Sequence, residues 1–437
     1  MTPDERDLEA LLRQPAERLA PPDHSWEKIS RRASRRKWVK ASLSVAAGVV
    51  VVAGAVPAMI AVRADHNNGT SIQSLTSSQN ALPNLPRHTV KRSPIPTAPA
   101  PSSAPAVPDD LVGFLPASVS FVSQQHGYAW GNIGRSPQGV IAQTWDAGET
   151  WTKLPAPAVD NSVATSGHDG DSQIRYSSAT TGFVFGAKYF VTHNAGGSWS
   201  EAASPGYIDD LEATHNHRVW ALVRKTENAP TVALYTAAPA SSDLQAVTKV
   251  AAMSSQPGAD SIAVNQNQVY VVAGDAAFWT SRNGTDWQEQ PSPCPASAGA
   301  PQHVLLTTLN RPGIYAVCSY RTSGGGESQQ TYLSVNTGKT WTQTAASPAA
   351  GGAPQTFAAG SENDIIVGTS RGGAQVTHNG GKTWLSDQPP GGVQLGFVGF
   401  IKTQTVVGVG TSASGTAGVF ATSLDSGRKW TVTNFSR

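Results

Sequence analysis

The feature that most constrains this chain is one short turn, copied six times along its last three quarters. Each copy follows Ser/Thr-x-Asp/Asn-x-Gly-x-x-Trp. The copies are Thr144, Asp146, Gly148 and Trp151; Thr192, Asn194, Gly196 and Trp199; then Ser281, Asn283, Gly284 and Trp287, one residue shorter. They continue with Ser334, Asn336, Gly338 and Trp341; Thr377, Asn379, Gly381 and Trp384; and Ser423, Asp425, Gly427 and Trp430. A motif that returns at a near-fixed period marks a supersecondary unit that buries its surface only against its neighbours, so it identifies an architecture better than local propensity does. The closing tryptophans are 48, 88, 54, 43 and 46 residues apart. The step of 88 spans two periods, and inside it residues 231–238 and 241–247 read as two strands around a turn that has lost its Gly and Trp. Seven units result.

Each unit has the same order of runs. In the first, residues 119–122, 127–131 and 139–144 lead into the turn, and 151–154 lead out of it. The second runs of the later units, such as 182–186, 219–223, 269–273 and 314–318, are short and rich in β-branched and aromatic residues, as strands are. Four antiparallel strands in about 45 residues, seven times over, specify an all-β, seven-bladed β-propeller, whose circular closure leaves only short protected edges. The turn needs no catalytic explanation. Its Asp or Asn can accept from backbone N–H groups, its Gly supplies positive φ, its hydroxyl ties in the incoming strand, and its Trp buries apolar area between blades.

This pattern resembles the Asp-box, or BNR, repeat shared by sialidases, some glycan-degrading propellers and photosystem II assembly propellers. The resemblance implies the fold and not an activity, since propellers host many unrelated functions. It also implies that the turns lie on the face opposite the usual ligand site, so a ligand is expected on the other face. A sialidase would need three arginines for the sugar carboxylate, an Arg-Ile-Pro-type motif in the first blade, an acid/base Asp and a Tyr activated by Glu. Arg135, the arginine of the first blade, is followed by Ser-Pro, and Arg311 is followed directly by Pro312. A sialidase-type glycoside hydrolase is therefore the alternative, and a non-catalytic binding or assembly scaffold is the expectation.

The remaining sequence divides into three parts. Residues 41–62 carry no charge, and a helix of that length spans a hydrocarbon core. Lys28, Arg31, Arg32, Arg35, Arg36, Lys37 and Lys40 precede it, which by the positive-inside rule keeps the N-terminus in the cytoplasm and exports the chain beyond residue 63. A cleaved signal peptide is the competing reading, but its apolar region is shorter and Val62-Arg63-Ala64 is a poor cleavage site. The expected domains are a cytoplasmic tail at 1–40, a transmembrane helix at 41–63, a Pro/Ser/Ala-rich linker at 64–110 and the propeller at 111–437. In the tail, Thr2 and Glu5 fit a capping box ahead of a short helix. The Pro-rich linker stays extended and can act as a stalk. The arrangement resembles many actinobacterial envelope proteins, so the expected location is a bacterial plasma membrane, with the propeller outside.

Charge narrows the partners. After residue 110 the chain has 18 basic and 20 acidic residues, a balance unsuited to tracking nucleic acid and compatible with a protein or a cell-wall glycan. The two cysteines, Cys294 and Cys318, stand in the exported part, where a disulfide is expected and two free thiols are the alternative. No cofactor is expected. His168, Asp169 and Asp171, grouped around glycines, are a weak metal candidate against a plain solvated loop, because calcium sites use six or more oxygens in a defined loop. His193 and His378 are expected at the surface, and Trp145 and Trp279 are expected to pack between blades, with a sugar-stacking platform as the alternative. The strand 111–115 is a candidate for completing the ring, since the last repeat already contains its own outer strand.

Overall fold

The computed structural model describes residues 107–159 and 173–436, apart from the pairs 275–276, 296–297, 310–311, 324–325, 350–351, 371–372 and 387–388. The expected tail, membrane span and most of the linker lie outside the described residues, as does the loop holding His168, Asp169 and Asp171. Among the described residues no helix is long and apolar enough to cross a membrane.

The described residues form seven antiparallel sheets in chain order, which makes the molecule an all-β, seven-bladed propeller. Blade 1 consists of Phe114–Phe121, Gly127–Ile133, Gly139–Thr144 and Thr152–Leu154, each paired with the next. The inner strands of blades 2 to 7 are Gln173–Tyr176, Tyr207–Ala213, Asp260–Asn265, His303–Thr308, Pro354–Ala359 and Gln394–Phe400. Each inner strand abuts that of the following blade, and blade 7 returns to blade 1. The second strands are buried on both faces, so Gly182–Phe185, Val219–Arg224 and Ile365–Thr369 are buried at every position. That is why these runs lack polar alternation. Blade 3, the unit without a box, has an outer strand of only Gln245–Ala246, and Met253–Ser254 pairs with the same third strand, Thr231–Ala237.

The core consists of seams. Each of the seven junctions between neighbouring blades holds its own cluster of buried apolar side chains, for example Phe183, Tyr189, Ile208 and Leu211 between blades 2 and 3. Near the axis, hydroxyls of one inner strand accept from backbone N–H groups of the next. Ser120 Oγ accepts from Tyr176 N at 2.9 Å, Ser261 Oγ from Leu306 N at 3.2 Å, Thr307 Oγ1 from Ala359 N at 3.2 Å and Thr356 Oγ1 from Val398 N at 2.9 Å. Blade 3 departs from this rule and uses a carboxylate, Asp210 Oδ2, for Ile262 N at 2.8 Å.

Ring closure corrects one expectation. Residues 111–115 add no extra strand: Asp109–Leu111 is a 3-10 turn and Phe114 opens the inner strand of blade 1. The seam between blades 7 and 1 closes like the others, with Trp151 edge-on to Phe420 at 4.9 Å. The N-terminal segment then clamps the C-terminus, since Gly113 N donates to Phe435 O at 2.6 Å and Phe114 meets the Phe435 ring edge-on at 5.1 Å. Leu111 and Phe435 are both fully buried there.

Candidate functional site

The repeated turns are tied by one hydroxyl. Thr144 Oγ1 donates to Asp146 Oδ1 at 2.8 Å and accepts from Gly148 N at 2.8 Å, and Asp146 Oδ1 also accepts from Thr150 N at 2.8 Å. Thr192, Ser334, Thr377 and Ser423 make the same pair of contacts in their own turns. Burial opposes ionisation of Asp146, but the hydrogen bonds from Thr150 and Thr144 outweigh it and hold the carboxyl below its usual range. The shorter third turn lacks this clasp. Arg282 pairs with Asp286, so Asn283 and Gly284 form a tight hairpin tip at φ 61° and 74°, and the buried Ser281 hydroxyl has no partner.

The turns fix which face is which. Box backbone N–H groups donate to the loop joining the first and second strands of the same blade: Ala147 N to Gln125 O, Ala195 N to Thr180 O and Ser426 N to Gln404 O. Both sets of turns therefore crown one face of the ring. On that face, not on the opposite one where the family resemblance puts a ligand, a groove of about 600 Å³ crosses the first turns of blades 1, 2 and 3.

Trp145 stands at the groove with 64% of its surface exposed, so it is not packed between blades as the sequence suggested. One face of its indole lies on the His126 ring, with centroids 3.6 Å apart and planes 13° apart. Behind it, Gln143 Nε2 is 2.9 Å from His126 Nε2 and donates to Tyr128 Oη at 3.2 Å, and Tyr128 stacks on Tyr176 at 3.6 Å. Burial lowers the His126 pKa, which favours the uncharged ring under the indole. The far wall carries Thr214, His215 and His217, and His217 Nδ1 lies 2.5 Å from Ser177 O, which bridges blades 3 and 2. The other side chains singled out in the sequence diverge from this place. Trp279 packs partly buried in the seam between blades 3 and 4, His193 is exposed, and His378 is half-buried against Asp364 at 2.9 Å.

A second concentration of chemistry sits on the inner strands of blades 2 to 4 and the second strand of blade 3, outside the repeated turns. Arg224 is wholly buried. Its Nε donates to Asp209, its Nη2 to Asp260 Oδ1 at 2.7 Å and Gln256 O at 3.0 Å, and its Nη1 to Ala229 O at 2.6 Å and Ser255 O at 2.7 Å. Next door, Arg175 Nε is 3.1 Å from Glu212 Oε1 and donates to Leu211 O at 3.3 Å. Burial raises the pKa of Asp209, Asp210 and Asp260, and the neighbouring Asp209 charge raises Asp260 further. Glu212 is pushed up to about 7 by burial and by Asp210, despite Arg175. The signal was present in the sequence: Tyr207–Ala213 carries three acids in seven residues, on a strand that a propeller buries. Its partners are all on other strands, beyond the reach of a local pattern. Cys294, after the outer strand of blade 4, and Cys318, on the second strand of blade 5, are joined in a disulfide.

No protein-family model and no curated protein matches the chain. Among solved structures it is similar to YCF48 bound to D1 peptide, at TM-score 0.47 and 15% identity over 72% of this chain and 94% of that one. YCF48 from Cyanidioschyzon merolae matches at TM-score 0.47 and 16% identity, over 72% and 96% of the two chains. A GH74 xyloglucanase from Xanthomonas campestris matches at TM-score 0.39 and 13% identity, over 74% and 73%. At such scores and identities the functional reading rests on this chain's own residues.

Proposed function

We propose that the chain is a membrane-anchored bacterial envelope protein of Asp-box type, held by a helix at 41–63, with its propeller outside the cytoplasm as a non-catalytic binding scaffold for a protein or a glycan. The six turns, from Asp146 to Trp430, act as structural clasps and do not themselves bind the partner. The observation that carries the reading is the groove on the box face, which presents an exposed, pre-positioned indole among hydroxyl, amide and imidazole groups. Pockets of this size with a few convergent polar groups are the usual place for a ligand. Hydrolysis of sialidase type would instead call for an acid/base Asp and a Glu-activated Tyr facing a cleft beside three arginines. The crowded carboxylates of blades 3 and 4 are engaged by Arg224 and Arg175, which favours binding over turnover.

Two measurements test this. Purified protein incubated with fluorogenic sialosides and related glycosides is expected to release nothing above background, and sustained turnover would overturn the scaffold reading. A label confined to the cell exterior is expected to reach a tag placed after Arg437, and labelling only in lysed cells would overturn the topology.

A further inference from the structure

We infer that the groove on the box face binds an uncharged saccharide, with one sugar ring laid on the free face of Trp145. The inference deepens the binding reading above and rests on it. Three observations carry it.

The first is the platform itself. A solvent-exposed indole is normally free to turn, but this one is held flat by His126, which is in turn held through Gln143 and Tyr128. Pre-positioning of this kind removes the ordering cost from the moment of binding. One face is covered by imidazole and the other is open to the groove, which suits a planar array of sugar C–H groups. Val335 and Leu424 hold the same box position as Trp145 in other blades and are also exposed, but neither has a ring to stack.

The second is charge. Among the described residues the groove is lined by Ser123, Gln125, Ser177, Ser178, Thr214 and histidines, with no carboxylate, ammonium or guanidinium in that lining. No fixed cationic side chain is among those lining residues to offset the desolvation of a sugar carboxylate, which favours an uncharged ring over sialic acids and other anionic sugars.

The third is what the backbone withholds. Val122 N and Ser123 N both donate to His126 O, and Ser177 N and Ser178 N both donate to Thr181 O. The turns that wall the groove spend their N–H groups internally, so no free strand edge is offered to an extended peptide. The hydroxyls differ. Ser123 Oγ accepts from Gln125 N and His126 N, which leaves its proton to donate to a ligand oxygen. A surface that offers side-chain hydroxyl and amide groups beside a flat aromatic face matches a polyhydroxylated ring better than a peptide.

The test uses the full chain labelled with fluorotryptophan, the Trp145 resonance being assigned from Trp145→Phe. The probes are cellotetraose, maltotetraose, tetra-N-acetylchitotetraose, sialyllactose and an uncharged Ser/Gly/Pro decapeptide. At least one uncharged tetrasaccharide is expected to shift the Trp145 resonance and to bind by calorimetry. Trp145→Ala is expected to weaken that binding at least tenfold, Trp145→Phe by less, and Leu424→Ala not at all. The phenylalanine variant keeps the comparison available if the alanine variant fails to fold. If sialyllactose or the peptide moves the resonance and the neutral sugars do not, the saccharide inference falls while the binding groove stands. Neutral sugar binding that survives Trp145→Ala unchanged would place the sugar elsewhere and also end the inference. If no probe moves Trp145, the groove loses both readings.

Discussion

Gly148 meets two demands at once. Its φ is +93°, and a Cβ there would come within 1.9 Å of the Phe420 ring in the neighbouring blade. The box glycine therefore supplies a left-handed turn and also lets the previous blade's aromatic press on the backbone. Gly284 against Trp220 and Gly338 against Phe278 repeat the arrangement, with Trp287 and Trp341 edge-on to the same rings at 5.4 and 5.3 Å. Gly427 shares the φ, at +94°, but its nearest contact would be Trp430 at 3.5 Å, so space is not limiting there. Gly148→Ala is expected to cost more than about 2 kcal/mol, combining left-handed strain with overpacking, and Gly427→Ala only about 1 kcal/mol. Urea denaturation of the two variants checks the difference, and equal losses would mean that backbone strain alone sets the requirement. The turn signature was legible in the sequence because every copy must satisfy the same φ and the same clasp. The exposure of Trp145 was not, because composition alone makes an indole look like core. Its direction is set by Thr144, whose hydroxyl must point into the turn to reach Asp146, and alternation along the strand then sends the next side chain outward.

Blade 3 shows what an element does when its inner strand lacks the hydroxyl that Ser120, Ser261, Thr307 and Thr356 offer the next blade. Beside the box contact of Gly284 and Trp287 on Trp220, it is fastened to blade 4 through Arg224, Asp209, Asp210 and Asp260. Arg224 satisfies two carboxylates and three carbonyls from two loops, so its removal strands buried charge and backbone oxygen together. Arg224→Met is expected to cost about 3–5 kcal/mol, with hydrogen exchange accelerating first in Tyr207–Ala213 and Asp260–Asn265. Adding Asp209→Asn and Asp260→Asn should recover part of the loss, and if the triple variant is no better than the single one, uncompensated charge is not the cause. The neighbouring seam, between blades 4 and 5, is crossed covalently by Cys294–Cys318, which closes a loop with a sequence separation of 24. The Cys294→Ala, Cys318→Ala pair is expected to lose about 3 kcal/mol by thermal or urea denaturation, chiefly because the unfolded chain regains freedom. Blade count and strand order could be read from spacing because they depend on local sequence. The acid cluster could not, since its members are brought together from three inner strands and a second strand by closure of the ring.

At the scale of the whole molecule, the acids of the hub and of the rim pull in opposite directions with pH. Glu212 rises from its ordinary 4.5 to about 7, and Asp209, Asp210 and Asp260 are raised in the same sense by burial. A group that holds its proton more tightly when folded makes the native state the better proton binder between the unfolded and folded values, so stability falls as pH rises through that window. Asp146 and Asp425 are lowered by the hydrogen bonds of their turns, and their contribution is present above the ordinary 3.8 and lost only below it. The two windows do not overlap. Acidification from pH 7.5 to about 5 is therefore expected to stabilise the propeller by about 1–2 kcal/mol, discounted because Glu212 is partly open to solvent. Further acidification below about 4 reverses the trend as the turn carboxylates lose their hydrogen-bonded ionised form. Glu212→Gln should flatten most of the slope between pH 5 and 7.5 and leave the acid limb in place, because the substituted amide cannot titrate while Asp146 and Asp425 still can. Denaturation midpoints across this range measure both limbs. A stability that rises steadily from pH 5 to 7.5 would show that Arg175 and Arg224 hold the hub acids ionised, and that the contacts of blade 3 with blades 2 and 4 are an ordinary set of ion pairs.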